Sequence, residues 1–426
     1  MLIQELYTLY LQHPSIQTDT RKLKKGDIFF ALKGPNFNGN LFAKQALDAG
    51  AAFIIVDEAV GFNDERIIQA TDALQTLQDL AKYHRQQFHI PFIAITGSNG
   101  KTTTKELIHE VLSSTFKTYT TKGNLNNHIG IPLTILSVQK DAEIAVIEMG
   151  ANHQKEIEGY CTYAMPTHGI ITNIGKAHLE GFGGEEGVKK GKGELFDYLR
   201  ANNGTAFIMN DYVYLKEMSK GVPTIISYGT TNADITGEVI NNHAEFLGVT
   251  ITKGMSLTSI ETKLVGDYNL PNALAAITIG NYFKVPEEKI QTALEHYTPS
   301  NSRSQLIEKD GNKIILDAYN ANPSSMNAAI DNFAKMEGND KILLLGGMME
   351  LGEESLAEHK ALLDMIANYE WKAVVLVGGD FSKIKNPYIN FSTSSEAKEW
   401  FNKQHFKDST ILIKGSRSVQ MEKVLE

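Results

Sequence analysis

The sequence predicts an α/β protein in three parts, and three observations carry that expectation. Apolar, β-branched runs of strand length alternate with helix-like stretches over most of the chain, the pattern of sheets covered by helices. One of these runs ends in a glycine-rich turn that opens a helix, and two breaks, at Pro91 and at "EHYTPSNSRSQ", interrupt the rhythm. The length of 426 residues, at about 150 per domain, allows two to three domains, each large enough to bury its own core.

The first ninety residues hold two strand-like runs, "GDIFFAL" and "AAFIIVD", around the helix-like "NLFAKQALDAG", whose last glycine is a helix stop. A polar helix from Leu74 to Phe88 leads to Pro91. From Phe92 the runs "FIAITG", "AEIAVIEMG", "HGIITNIG" and "TAFIMN" suit strands of a parallel sheet. Between Ala233 and Val265 the texture turns to alternation, in "FLGVTITK" and "SIETKLVG", which predicts antiparallel strands added to that sheet. The helix "NLPNALAAITIGNYF" follows. Beyond the second break, "KIILDAYN", "KILLLGGMMELG", "AVVLVGGD" and "STILIKGS" restart the α/β rhythm and predict a Rossmann-like unit. The expected architecture is a small α/β N-terminal domain (1–90), a central parallel-sheet domain with a phosphate loop and appended antiparallel strands (91–298), and a Rossmann-like C-terminal domain (299–426).

Composition narrows the function. A net charge of -9 argues against nucleic-acid binding, which calls for a basic stripe to neutralise phosphates. The one dense lysine cluster is Lys189, Lys190 and Lys192. A single cysteine, Cys161, cannot form an intramolecular disulfide, which suits a reducing compartment and an inert, buried thiol. The N-terminal "MLIQELYTLYLQHPSI" lacks the basic start and cleavage site of a signal peptide, and no apolar run is long enough to span a bilayer. A soluble cytoplasmic protein, without nucleic acid or membrane insertion, is expected.

The chemistry begins at "AITGSNGKTT". Ile95 stands where the strict G-x-x-x-x-G-K-[ST] pattern needs glycine, yet the context of strand, tight Gly-Ser-Asn-Gly turn and helix start is that of a phosphate loop. Backbone N–H groups at such a helix start bind phosphate oxygens, Lys101 adds a point charge, and Thr102 can ligate Mg²⁺. An ordinary glycine-rich turn is the alternative. Glu148 ends the apolar run of "AVIEMGANH", where a carboxylate could hold a metal or merely cap a helix. His178, after another apolar run, could reach the phosphates or be structural, and imidazole is a softer metal ligand. One lysine of "VKKGKGELF" could add carbon dioxide to become a carbamate, an anionic oxygen donor suited to Mg²⁺, or all three could lie on a solvated helix face.

Taken in order, "TGSNGKTTTKE", "GNLNNHIGIPLT", "EMGANHQKEI", "AHLEGFGG", "KGKGELF", "YNLPNALAA", "DAYNANPSSM", "MMELGEES" and "KGSRSVQME" resemble the Mur ligase family over nearly the whole chain. The resemblance implies a monomeric, ATP-dependent amide ligase that uses two Mg²⁺ and takes UDP-N-acetylmuramoyl-tripeptide and D-alanyl-D-alanine as substrates. Carried over residue by residue, it makes Gly97, Ser98, Asn99, Gly100, Lys101, Thr102 and Thr103 the ATP loop and Lys101, Glu148, His178 and Lys192 catalytic. Thr102, Glu148, His178 and Lys192 as its carbamate would serve the metals, and Lys189 and Lys190 would be surface residues. Asn269 and Asn272 fall where the family holds adenine, and Arg303 and Asp317 where it closes over ATP. Thr20, Arg21, Asn36 and Phe37 correspond to a uridine-diphosphate site, and Asn124, Asn126 and Asn127 to the muropeptide loop. Lys414, Ser416 and Arg417 fall at the dipeptide site, where the two cations could pair with its carboxylate. Two positions depart from the pattern: His128 stands where an acidic residue is common, and Gly347 where Asp is common. The competing expectations are a Mur-type ligase adding the third amino acid, a folylpolyglutamate-type synthase, or a nucleotide-dependent switch.

Overall fold

Strand Phe92–Thr96 is buried at every position and lies within a nine-stranded sheet in the computed structural model, which describes residues 2–240, 244–300 and 302–426. In spatial order the strands are Ser259–Val265, Phe246–Lys253, Ile235–Val239, Thr224–Gly229, Thr205–Met209, His168–Ile171, Phe92–Thr96, Ile144–Glu148 and Thr118–Thr120. Pairing is parallel from Ile235–Val239 to Thr118–Thr120 and antiparallel for the two strands at the other edge. The expected apolar runs are the inner strands, continuous because helices cover both faces. Ser259–Val265 alternates instead, with Glu261 and Lys263 exposed between buried neighbours, because one of its faces meets solvent.

Strand order and chain order part at the loop strand. Phe92–Thr96 has Ile144–Glu148 on one side and His168–Ile171 on the other. Segments leaving neighbouring carboxyl ends there diverge and open a crevice, the place where ligands of open α/β sheets bind.

The third part of the chain forms a six-stranded sheet in the order Gln305–Lys309, Asn312–Asp317, Thr410–Lys414, Ile342–Gly346, Ala373–Val377 and Ile389–Phe391, parallel apart from its opening hairpin. The four expected runs are its inner strands. The edge strands Gln305–Lys309 and Ile389–Phe391 escape the hydrophobic pattern because much of each is exposed. The first part holds a small parallel sheet of Ile16–Gln17, Ile28–Phe30, Phe53–Val56 and Ile67–Gln69. Phe29, Ile54 and Val56 pack with the helix Ala43–Asp48 on one face. On the other face Ile28, Phe30 and Ile55 join Leu6, Tyr10, Leu77 and Leu80 in a core continuous with that of the central sheet.

Among the described residues no helix is long and apolar enough to cross a membrane. Cys161 is buried, and burial raises its thiol pKa, which keeps it inert.

The helix expected from Leu74 to Phe88 runs Ala73–Arg85, capped by Asp72, whose carboxylate accepts from Gln75 N. Its last residue clamps the first part to the central one. Arg85 is buried and donates Nε to Ala164 O (3.0 Å), Nη2 to Met165 O (2.9 Å) and Nη1 to Phe88 O (2.9 Å), while its guanidinium lies 3.8 Å over the Phe92 ring. Ala164 ends the helix Glu156–Ala164, so the guanidinium satisfies carbonyls at a helix end that lack intrahelical donors. Burial pushes the guanidinium pKa down to about 10. Arg85→Met keeps an apolar stem but strips all three bonds. With charged hydrogen bonds each worth about 1.5–3 kcal/mol and partial resolvation of the carbonyls, the expected loss of stability is about 2–4 kcal/mol. Urea melts resolving a change under about 0.5 kcal/mol would show that the clamp contributes no more than an ordinary surface residue.

Candidate active site

The loop 97–100 is shaped by its surroundings. Gly97 has φ +140°, and a Cβ there would lie 2.1 Å from Thr172 Oγ1; Gly100 has φ +77°, and a Cβ there would lie 2.6 Å from Asn272 Oδ1. Both positions require glycine. Ile95 is fully buried in the strand, so the first glycine of the strict pattern is replaced by a core residue and the turn is correspondingly short. Hydrogen bonds fasten the loop to the segment after strand His168–Ile171. Ser98 N donates to Asn173 O (2.9 Å), Asn99 N to Asn173 Oδ1 (2.9 Å), Gly175 N to Ser98 Oγ (2.9 Å) and Thr172 Oγ1 to Asn99 O (2.6 Å). Helix Lys101–Ser113 starts at once, so the N–H groups of its first turn border the crevice. Lys101 Nζ folds back onto Gly97 O (2.7 Å) and Ser98 O (3.2 Å). Burial lowers its pKa, the Glu148 carboxylate opposes that shift, and Arg303 adds to it.

The loop lines a cleft of about 720 Å³ walled by the central and third parts. Glu148 ends its strand 2% exposed, and its carboxylate accepts from Thr102 Oγ1 (2.9 and 3.1 Å) and Asn126 Nδ2 (2.8 Å). A hydroxyl and a carboxylate in contact are hard oxygen donors, the set Mg²⁺ takes alongside phosphate oxygens and water. Among the described residues no group of three His, Cys, Asp or Glu could hold a metal, so the fit to Mg²⁺ rests on this pair together with oxygens of a substrate.

His178 lines the same cleft with φ +56°, and its Nδ1 lies against the Glu350 carboxylate of the third part. Lys192 stands behind the cleft wall, 1% exposed on helix Glu185–Ala201. Its Nζ donates to the carbonyl of Ala151, a lining residue, at 2.9 Å and lies 4.9 Å from the centre of the Phe182 ring. Burial first, and then the Lys101 ammonium, push the Lys192 amine well below the usual lysine range, against the opposing pull of Glu156 and Glu194. A buried, readily neutral amine is what carbamate formation needs, so the residues present fit that group. Lys190 is exposed and Lys189 half-buried.

Asn269 and Asn272 both reach the cleft and are locked there. Asn272 Nδ2 donates to Asn269 Oδ1 (2.8 Å), and Asn269 Nδ2 donates to Val265 O (2.9 Å). From the third part come Arg303, whose guanidinium stacks 3.6 Å over the Tyr319 ring, and Asp317 and Lys414, which face each other in register on adjacent strands. Lys414 Nζ already donates to Asp317 at 2.5 Å, so an incoming carboxylate would share this ammonium with that pair. Ser416 and Arg417 lie outside the cleft lining. The Ser416 hydroxyl donates to Gly347 O (2.6 Å), and Arg417 is an exposed partner of Glu422 (2.8 Å). A Cβ on Gly347 would lie 2.5 Å from Gly379 Cα, which leaves no room for an aspartate. Of the loop asparagines, Asn126 and Asn127 border the cleft, as does His128, whereas Asn124 is exposed outside its lining. Thr20, Arg21, Asn36 and Phe37 lie on the first part, apart from the cleft. Arg21 chelates Asp19, and Asn36 and Phe37 are exposed.

Several lining residues were not singled out from sequence. Asn173 and Asn322 sit inside the quoted segments "HGIITNIG" and "DAYNANPSSM", and the signal for the first was an amide two residues after an apolar strand. Tyr212 and Tyr214 stack at 5.5 Å, and the Tyr214 hydroxyl accepts from Ile174 N (3.1 Å); no local pattern marks them. The cleft therefore sets Lys101, Arg303, Lys414 and helix-start N–H groups against Glu148, Glu156 and Asp317, an arrangement able to hold a polyanion beside a cation.

Comparison with known proteins gives matches in all three parts: a Mur ligase family catalytic domain over residues 14–85, a Mur ligase middle domain over 95–280 and a Mur ligase glutamate ligase domain over 302–417. The UDP-N-acetylmuramoyl-tripeptide--D-alanyl-D-alanine ligase of Bacillus subtilis is 34% identical over 96% of this chain and 92% of its own. A crystal structure of MurF from Acinetobacter baumannii superposes with a TM-score of 0.87 at 32% identity, covering 96% of this chain and 92% of that one. The MurF ligase of Thermotoga maritima in complex with ADP gives a TM-score of 0.87 at 27% identity, covering 97% of each. The similarity runs from the first sheet through the third rather than through the phosphate loop alone, and the chain belongs to the Mur ligase family.

Proposed function

We propose that the chain joins D-alanyl-D-alanine to UDP-N-acetylmuramoyl-tripeptide at the expense of ATP, giving UDP-N-acetylmuramoyl-pentapeptide, ADP and phosphate in cytoplasmic peptidoglycan precursor synthesis. The observation that carries this is the glycine-framed loop beside the Thr102–Glu148 pair, in a cleft bordered by two parts of the chain. The activity named for its full-length relatives supplies the substrates.

A carboxylate oxygen of the tripeptide attacks the γ-phosphorus of ATP. An O–P bond forms, the β,γ-bridging P–O bond breaks, and ADP leaves. The dipeptide amine then attacks the acyl carbon, a C–N bond forms, the C–O bond to phosphate breaks, and the amine gives up a proton. The first step brings anion to anion, so Lys101 and the N–H groups of the loop neutralise the approach. Thr102 and Glu148 would hold Mg²⁺, which supplies further neutralisation of phosphate charge when bound. His178 borders the same space and is the candidate for a second metal. The Lys192 amine, whose ammonium form burial disfavours, would add carbon dioxide with formation of an N–C bond and release of a proton, giving an anionic oxygen donor. Asn269 and Asn272 would hold adenine, and Arg303 and Asp317 would close over the nucleotide. The first part, 1–90, would take the uridine end through Thr20, Arg21, Asn36 and Phe37, and Lys414 with Arg417 would meet the dipeptide carboxylate. A monomer suffices for these roles.

With purified enzyme and tripeptides ending in lysine or meso-diaminopimelate, phosphate release should require both the tripeptide and D-alanyl-D-alanine. ATP hydrolysis indifferent to the dipeptide would point to the switch instead. Thr102→Ala and Glu148→Gln should each lower kcat by about 10²–10³-fold, the range for losing one preorganised charge-stabilising group, and chelation should abolish turnover until Mg²⁺ is returned. Lys192→Ala should lose about as much and regain part of it with formate or acetate. An unrescued Lys192→Ala enzyme at full activity would remove this lysine from the site.

A further inference from the structure

We infer that Asn322 is a positioning residue, tying the third part of the chain to the phosphate loop so that nucleotide in the loop strengthens binding of the dipeptide. The inference rests on the functional reading above and adds a coupling to it.

Asn322 precedes the helix Pro323–Lys335, and its side chain does two things at once. Its Oδ1 accepts from Ser325 N (2.9 Å), an ordinary helix cap. Its Nδ2 reaches out of the third part and donates to Asn99 Oδ1 in the loop at 2.7 Å. Capping needs only an oxygen, so the amide nitrogen is the part that capping leaves unexplained. Beside it Ser324 Oγ accepts from Lys176 N (3.1 Å), and a Cβ on Gly175 would lie 2.8 Å from that oxygen. The first turn of one helix thus presses on both segments that frame the phosphate position, 97–100 and 173–176.

Asn99 is suited to report the state of the loop. Its N–H donates to Asn173 Oδ1, and its carbonyl accepts from Thr172 Oγ1 and Asn173 Nδ2 (3.1 Å). With the backbone held on both sides, its side chain follows the loop rather than moving alone. The same third part carries Asp317 and Lys414 at the carboxyl ends of adjacent strands. A loop arrangement that favours the Asn99–Asn322 bond therefore favours the seating of those residues over the cleft. By linkage, whatever the nucleotide adds to dipeptide binding the dipeptide adds to nucleotide binding.

Asn322→Ser keeps a good helix cap while falling short of Asn99, so folding and function can be separated. Calorimetric titration of a non-hydrolysable ATP analogue into the full chain, with and without D-alanyl-D-alanine, reads the coupling directly. Wild type should bind the analogue about fivefold tighter or better when the dipeptide is present, at the lower end of ordinary coupling. In Asn322→Ser and in Asn99→Ala the factor should fall below about twofold, with no further fall in the double variant. The Tm of Asn322→Ser should match wild type, whereas Asn322→Ala, which also removes the cap, should melt lower. Undiminished coupling in Asn322→Ser, or no coupling in an active wild type, overturns the inference. A wild type that makes no dipeptide-dependent product overturns the functional reading, and this inference falls with it.

Discussion

The hydrogen bonds between the loop 97–100 and the turn after strand His168–Ile171 are the contacts on which the rest of the site depends. They join the carboxyl ends of two neighbouring strands, and they are made by backbone groups and short side chains. Fixing the loop there fixes the start of helix Lys101–Ser113, and with it Thr102. Thr102 in turn meets Glu148 only because strand Ile144–Glu148 pairs with the other side of the loop strand. One local fastening thus sets the anion end and the cation end of the cleft in a single register.

Electrostatics then divides the lysines by their surroundings. Lys101 lies against its own loop carbonyls, Lys414 against Asp317, and Lys192 against one carbonyl and an aromatic ring. Lys192 is buried without a carboxylate in contact, and its ammonium form is correspondingly disfavoured. The same side chain chemistry is put to three uses because desolvation and partners differ. Phe182 takes part in this by filling the groove left by Gly187 and Gly191, which brings its ring next to the Lys192 amine.

The third part reaches the cleft by polar contacts: Asn322 to Asn99, Lys176 N to Ser324, Lys176 to Glu358 and Glu350 to His178. The first part is joined through a continuous apolar core and the buried Arg85 clamp, and one face of the third part, with Ile315, Leu343, Leu345 and Leu412, joins the same core.

The sequence by itself determined the inner strands, the loop and a part of the residues that line the cleft. Ile95, Gly97, Gly100 and Lys101 declare a short phosphate loop through residue type and spacing alone, and buried parallel strands announce themselves as unbroken apolar runs. Edge strands such as Gln305–Lys309 stayed hidden because much of each meets solvent and the apolar periodicity is lost. Only the tertiary structure decided which carboxylate meets Thr102, that Ser416 bonds to Gly347 rather than lining the cleft, that Lys414 is already paired, and that Tyr214 and Asn322 touch the segments beside the phosphate position. Those outcomes join residues far apart in the chain, and strand order, not local propensity, brings them together.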